Sequence, residues 1–202
     1  MSGTRGRPSK ADENLDTRQI LIDTAVALIR KYGADHITVR SVCEEAGLSI
    51  GTFYHHFKNK DDLLIYFVRE TSFDRFILGT PLQDIAGRVV ELYMHLISRY
   101  LEMGEEFMKH FYTTGNKALS AYMGEEDGHY ADGTVMARCE QEINDAIGQE
   151  VLRPDTDAHR LSMDICTIVK GCVFEWALND GAMDIEKTLS RIVSSYLTPW
   201  MR

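Results

Sequence analysis

Apolar residues recur every three or four positions through most of this 202-residue chain, the period of α-helices that bury one side. Ile20, Leu21, Ala25, Leu28 and Ile29 form the first stripe, and Gly33 ends it. Asp16 and Gln19 stand ahead of it in capping-box spacing, which predicts a helix start there. Thr38 can cap a second, short helix with Val39, Val42, Cys43 and Ala46 on one face, stopped by Gly47. Ser49 can cap a third, with Phe53 and Phe57 a turn apart and facing inward. Asn59 opens a fourth helix that runs to about Leu78, and Asp61 and Asp62 suit the positive end of its dipole.

Thr80, Pro81 and Gln83 predict a further helix, capped by Thr80 and continuing to about Met103. Helical pieces near 105–113 and 116–123 follow, and "GEEDGHYADG" reads as a loop. Helices are expected over about 133–151, 156–180 and 184–198, the last stopped by Pro199. No β alternation and no internal repeat is visible. The predicted class is all-α, with three short helices in front of a longer-helix bundle. We divide the chain into a flexible basic arm (1–14), a small helical domain (15–60) and a larger one (61–202).

Composition changes this picture only in places. The formal net charge of −9 argues against a polyanion partner, but residues 1–60 carry nine Lys/Arg against seven Asp/Glu, and the remainder thirteen against twenty-four. The four cysteines make no CxxC pair, and the polar start shows no secretory pattern. A reduced, cytoplasmic protein is therefore expected. No apolar run approaches the ~20 residues of a membrane span. No metal-ligand spacing, phosphate loop or nucleophile–base pattern is present, so neither an enzyme nor a bound cofactor or metal is expected.

A short helix, a glycine turn "AGLS" and a second short helix make the helix-turn-helix arrangement, whose second helix enters a DNA major groove by its N-terminal end. Ser49, Ile50, Gly51 and Thr52 form that end, where small residues admit base edges and Ile50 can touch a thymine methyl. Tyr54, His55 and His56 offer donors to phosphates, and Lys58 and Lys60 flank the next helix start, where a phosphate can also sit. Seen alone, the histidine pair equally fits a solvated surface. Adjacent helical positions diverge, so the pair does not form a chelating site.

The run "ILIDTAVALIRKYGADHITVRSVCEEAGLSIGTFYHHFKNKDDLL" closely resembles the DNA-binding domain of TetR-family (tetracycline-repressor-like) transcriptional regulators. The resemblance implies a three-helix DNA-binding domain and a divergent helical C-terminal domain for ligand binding and dimerisation. It also implies that Thr38 and Arg40 reach phosphate or base, that Tyr54, His56 and Lys60 hold the backbone, and that Ile50, Gly51 and Thr52 meet bases. "RGRP" at 5–8 is similar to basic arms whose arginines, here Arg5 and Arg7, enter an AT-rich minor groove. A solubilising tail is the alternative.

One short recognition helix reads few base pairs, so a homodimer on a palindromic DNA operator is expected. Leu161, Ile165, Ile168, Val169 and Cys172 on one closing helix, with Ile192, Val193 and Tyr196 on the other, are the candidate interface, as a four-helix bundle across the two-fold axis. Packing of one stripe within its own subunit is the alternative. Phe67, Tyr93, Met94, Tyr100, Phe107, Met108, Phe111, Tyr112 and Trp176 suit a pocket for a small, largely apolar or planar effector, or else ordinary core. The function expected is a ligand-responsive repressor released from DNA by that effector. The rivals are a regulator controlled by a protein partner and an enzyme housed in the bundle.

Overall fold

The computed structural model describes residues 10–33, 36–69, 73–101, 108–109, 111–112 and 117–202. Among these residues the regular elements are helices apart from one small hairpin, and the chain divides into two compact units, Met1–Phe67 and Val68–Arg202. The division falls inside the fourth helix, after Phe67, whereas the sequence placed the boundary after Lys60.

In the first unit, α1 spans Lys10–Tyr32, α2 Val39–Ala46, α3 Ile50–His56 and α4 Lys60–Arg69. Leu21, Ile22, Ala25, Leu28 and Ile29 of α1 bury with Val42 and Cys43 of α2 and Phe53 of α3, while Ile20 stays 40 % exposed. α1 begins six residues ahead of the expected cap, because "KADENLD" contains no glycine or proline to stop it. Asp16 therefore lies inside the helix, and the Gln19 amide donates to Asp23 one turn on (3.0 Å) instead of closing a capping box.

In the second unit, α5 (Ile85–Leu101), α7 (Val135–Gly148), α8 (Ala158–Leu178) and α9 (Ile185–Leu197) pack as a closed ring: α7 on α8, α8 on α9, α9 on α5, α5 on α7. A short α6 (Lys117–Tyr122) lies in sequence between α5 and α7. Thr134, Asp157 and Asp184 cap the last three long helices through their side chains. Pro199 sits in a 3₁₀ turn, Thr198–Trp200, after which Met201 bridges back to Leu152.

Two expectations fail locally. α5 starts at Ile85, not at Pro81: the carboxylate of Glu91 accepts from the N–H groups of Gly79 (2.7 Å) and Thr80 (2.8 Å), which holds "TPLQ" as a turn, and Asp84 caps the helix by accepting from Gly87 N–H (2.9 Å). The expected loop at 124–133 contains a two-stranded hairpin, Glu125–Glu126 with His129–Tyr130, turned by Asp127 and Gly128, both at positive φ.

One buried charge network ties this unit together. The Glu142 carboxylate is 1 % exposed and accepts from Arg88 Nε on one oxygen and Arg138 Nε (2.7 Å) on the other. Arg138 also donates to the carbonyls of Phe73 and Asp74, and Arg88 to that of Thr80. Three charges thus pin residues 73–80 against α5 and α7.

Candidate nucleic-acid interface

The reading end is built by its caps. Thr38 Oγ1 accepts from Ser41 N–H (3.0 Å), and Ser41 Oγ accepts in return from Thr38 N–H (2.9 Å), which fixes the start of α2. Gly47 closes α2 in the left-handed region at φ 66°, a conformation that costs glycine little. The chain can then enter α3 at once. Ser49 Oγ accepts from Thr52 N–H (3.0 Å), so α3 is capped two residues after the turn.

α3 has two unlike sides. Phe53 is fully buried and Phe57, the residue ending the helix, is 2 % exposed, their ring centroids 5.5 Å apart. Opposite them Ile50 is 48 % and Tyr54 58 % exposed, with Ser49, Gly51 and His55 exposed and Thr52 and His56 half-buried. A methyl group added at Gly51 meets only Ser49 Oγ at 3.6 Å, an ordinary contact, so the protein itself does not require a glycine there.

Lys58 and Lys60 are exposed beside this face, as are Thr38 and Arg40 on α2. The start of α4 is more occupied than expected. Asn59 Oδ1 accepts from Asp62 N–H (2.8 Å), and Asp62 Oδ2 accepts from Lys58 N–H (2.9 Å). The N–H groups of Lys58 and Asp62 are thereby taken, and the two ammonium groups are the charges left to meet an anion there. Arg40 is engaged with Glu44 at 2.7 Å, an exposed pair that an incoming anion displaces at small cost.

Sequence reasoning missed Arg18. This α1 side chain lies over the Phe57 ring, 5.4 Å from its centroid, and its charge acts on His56. Burial, then the neighbouring His55 and Arg18, hold the His56 imidazole below its ordinary range. Nothing in the hydrophobic pattern marks Arg18, because its partner is nearly forty residues away.

The remaining sequence candidates divide sharply. Arg5, Arg7 and Phe107 lie outside the described residues, as does the side chain of Phe67. Tyr93, Tyr100, Met108, Phe111 and Trp176 are buried, and Met94 and Tyr112 half-buried. Tyr100, Phe111 and Tyr112 form a ring cluster with centroids 5.4–5.8 Å apart. Met108 and Tyr112 also line a cleft of about 310 Å³ with Phe174 and Leu178. The interface stripe needs correction: Leu161, Ile165, Val169, Cys172 and Val193 are 0–6 % exposed within a single chain, spent on the four-helix ring, and have no surface left for a partner. Ile168, Ile192 and Tyr196 are half-buried, and Tyr196 donates to Asp164 (2.6 Å). The apolar side chains that α8 turns outward are Met163, Phe174 and Leu178.

A glycine turn between two capped short helices, the second exposing a polar face over a phenylalanine core, defines a helix-turn-helix protein. Residues 21–67, under a quarter of the chain, match the family model "Bacterial regulatory proteins, tetR family". An HTH-type transcriptional regulator of Staphylococcus aureus (strain USA300) is 36 % identical over 62 residues, 31 % of this chain and 33 % of that protein, so the likeness spans about a third of the relative. The fold extends further. SmeT, the repressor of the Stenotrophomonas maltophilia multidrug efflux pump SmeDEF, aligns over 94 % of this chain and 93 % of its own at 19 % identity and TM-score 0.60. Full-length TylP, a tetR regulator from Streptomyces fradiae, does so over 96 % and 83 % at 16 % identity and TM-score 0.61. SmeT in complex with triclosan aligns at 20 % identity over 93 % and 92 %, TM-score 0.59.

Proposed function

We propose that this chain is a tetR-family DNA-binding transcriptional repressor that occupies a palindromic operator as a homodimer and leaves it when a small effector binds the second unit. The observation that carries the reading is the outward side of α3. Ile50, Gly51 and Thr52 lead it, and Tyr54, His55 and His56 follow with hydrogen-bond donors, above a Phe53–Phe57 core that fixes their direction. A surface without its own need for glycine at position 51 keeps one where a groove floor has to come close.

Lys58 and Lys60 supply phosphate contacts on the same side of the sequence turn, with Thr38, Ser49 and, once released from Glu44, Arg40. Pairing of two copies is supported by the outward Met163, Phe174 and Leu178 of α8, a stripe that a single chain leaves in water. An effector is supported by the triclosan complex of the structural neighbour SmeT and by the aromatic interior of the second unit. The chain passes from one unit to the other within α4, so an effector that favours one arrangement of that helix shifts the spacing of the two readers.

Selection of bound sequences from a random duplex pool tests this directly. The expected product is an inverted repeat whose half-sites lie on one face of the duplex. Recovery of no enriched sequence, or of an asymmetric single site, contradicts the dimeric reader.

A further inference from the structure

Phenol hydroxyls gather in the interior of the second unit, where a core is ordinarily apolar. Tyr93 and Tyr100 of α5 are fully buried and Tyr130 of the hairpin is 8 % exposed. Their hydroxyl oxygens have no hydrogen-bond partner among the described residues. They face one region. Tyr93 interacts with Cys139, Cys166 and Tyr130, Tyr100 with Tyr112, Tyr122 and Cys166, and Tyr130, stacked on His159, with Glu125, Cys166, Glu140 and Cys139. Thiols are weak partners for a hydroxyl. A buried hydroxyl left without an acceptor destabilises a fold, and phenylalanine would remove that cost at almost the same shape. Three such donors around Cys166 are retained for something that brings acceptors.

The same surroundings select the charge of the guest. Burial pushes the phenols of Tyr93 and Tyr100 well above their usual range and the Cys139 thiol up to about 12, so these groups keep their protons and donate them. An unpaired anion brought here meets the same penalty. The buried carboxylate of this unit, Glu142, needs both Arg88 and Arg138. Two basic groups lie next to the cluster: Lys170, which interacts with Cys166, and His159, stacked on Tyr130 and already paired with Glu125 and Glu140.

We infer that Tyr93, Tyr100 and Tyr130 form the recognition element for an uncharged effector carrying carbonyl or ether oxygens, to which the three hydroxyls donate. The inference rests on the effector reading above and sharpens it, from a largely apolar molecule to one chosen by its acceptors. Apolar area drives association, and the hydrogen bonds decide which guest is kept.

The test uses size-matched uncharged pairs, coumarin against naphthalene and anthraquinone against anthracene. Each is titrated into the full chain and into Tyr93→Phe, Tyr100→Phe and the double variant, with thermal unfolding of every protein measured without probe. The expected result is roughly tenfold tighter binding of each carbonyl member, a preference that the phenylalanine variants lose while hydrocarbon binding holds, at an unfolding temperature equal to or above the parent's. A preference that is absent or survives in the double variant overturns the inference, as does binding by none of the four. Tighter binding of 2-naphthoate would make this an anion site and overturn it too. So would a lowered unfolding temperature in the variants, because the hydroxyls would then be satisfied within the fold. Operator release is read separately. A carbonyl probe that binds through the hydroxyls without loosening DNA leaves this site standing and removes the effector reading, whereas release by the hydrocarbons alone does the opposite.

Discussion

At position 51 the side chain that is missing says more than those present. The space around Gly51 accepts a methyl group, and alanine favours a helix over glycine by about 0.8–1 kcal/mol. Gly51→Ala is therefore expected to raise the unfolding temperature and yet weaken operator binding. Weakened binding with lowered stability would mean that the residue serves the fold instead. His56 gives a second prediction, in two parts of opposite sign. Its imidazole is depressed in the folded chain, so the stability it allows is present above the ordinary histidine value of 6.5 and is lost as pH falls through it. A phosphate beside the ring raises the same pKa, so operator affinity rises as pH is lowered from about 7 towards 6. The comparison is binding by the parent and by His56→Gln across that range; a parent profile no steeper than the variant's would remove His56 from the phosphate contacts. The exposed face of α3 was legible residue by residue in the sequence, because caps, aromatics and a turn glycine are local chemistry. Arg18 was not, since only folding brings it to Phe57 and His56.

Helix positions followed from periodicity, but helix starts did not always follow from a local cap pattern: α1 runs back to Lys10 past Asp16, and α5 loses its expected start to a distant group. Thr38, Ser49 and Asn59 cap through their own side chains as their local patterns predicted, and Thr134, Asp157 and Asp184, for which only approximate helix ranges were expected, do the same. "TPLQ" carries an equally good local pattern, but Glu91 captures the N–H groups of Gly79 and Thr80 from the next helix and the start moves to Ile85. The Arg88–Glu142–Arg138 network was invisible for the same reason: its members are up to 54 residues apart. Its role predicts a large effect. Glu142→Gln leaves two mostly buried guanidinium groups without their anion, and a loss of about 3–5 kcal/mol in denaturant unfolding is expected. A loss below about 1 kcal/mol would mean that the arginine contacts to the carbonyls of Phe73, Asp74 and Thr80 suffice.

On the scale of the whole molecule, the sequence showed that the closing helices bury apolar stripes but not whether the partner was the same chain. The intrachain ring of α5, α7, α8 and α9 takes the inward stripe, and Met163, Phe174 and Leu178 are left outside it. Phe174→Glu is accordingly expected to preserve helicity and unfolding temperature while sedimentation shows a monomer and operator affinity falls. A dimer that survives this change would place pairing on another surface. The formal charge of −9 is equally uninformative when taken over the full chain, because the first sixty residues hold a small excess of cations and the excess of acids lies beyond them.

The expectations for operator binding depend on α3 and its flanking cations meeting duplex phosphates. The most direct measurement is operator affinity against salt, for the parent and for Lys58→Ala with Lys60→Ala. The parent's log affinity should fall steeply and linearly with log salt, and the double variant should lose about one unit of that slope per lysine in each bound copy. A parent affinity that hardly changes with salt, or an unchanged slope in the variant, would contradict the account.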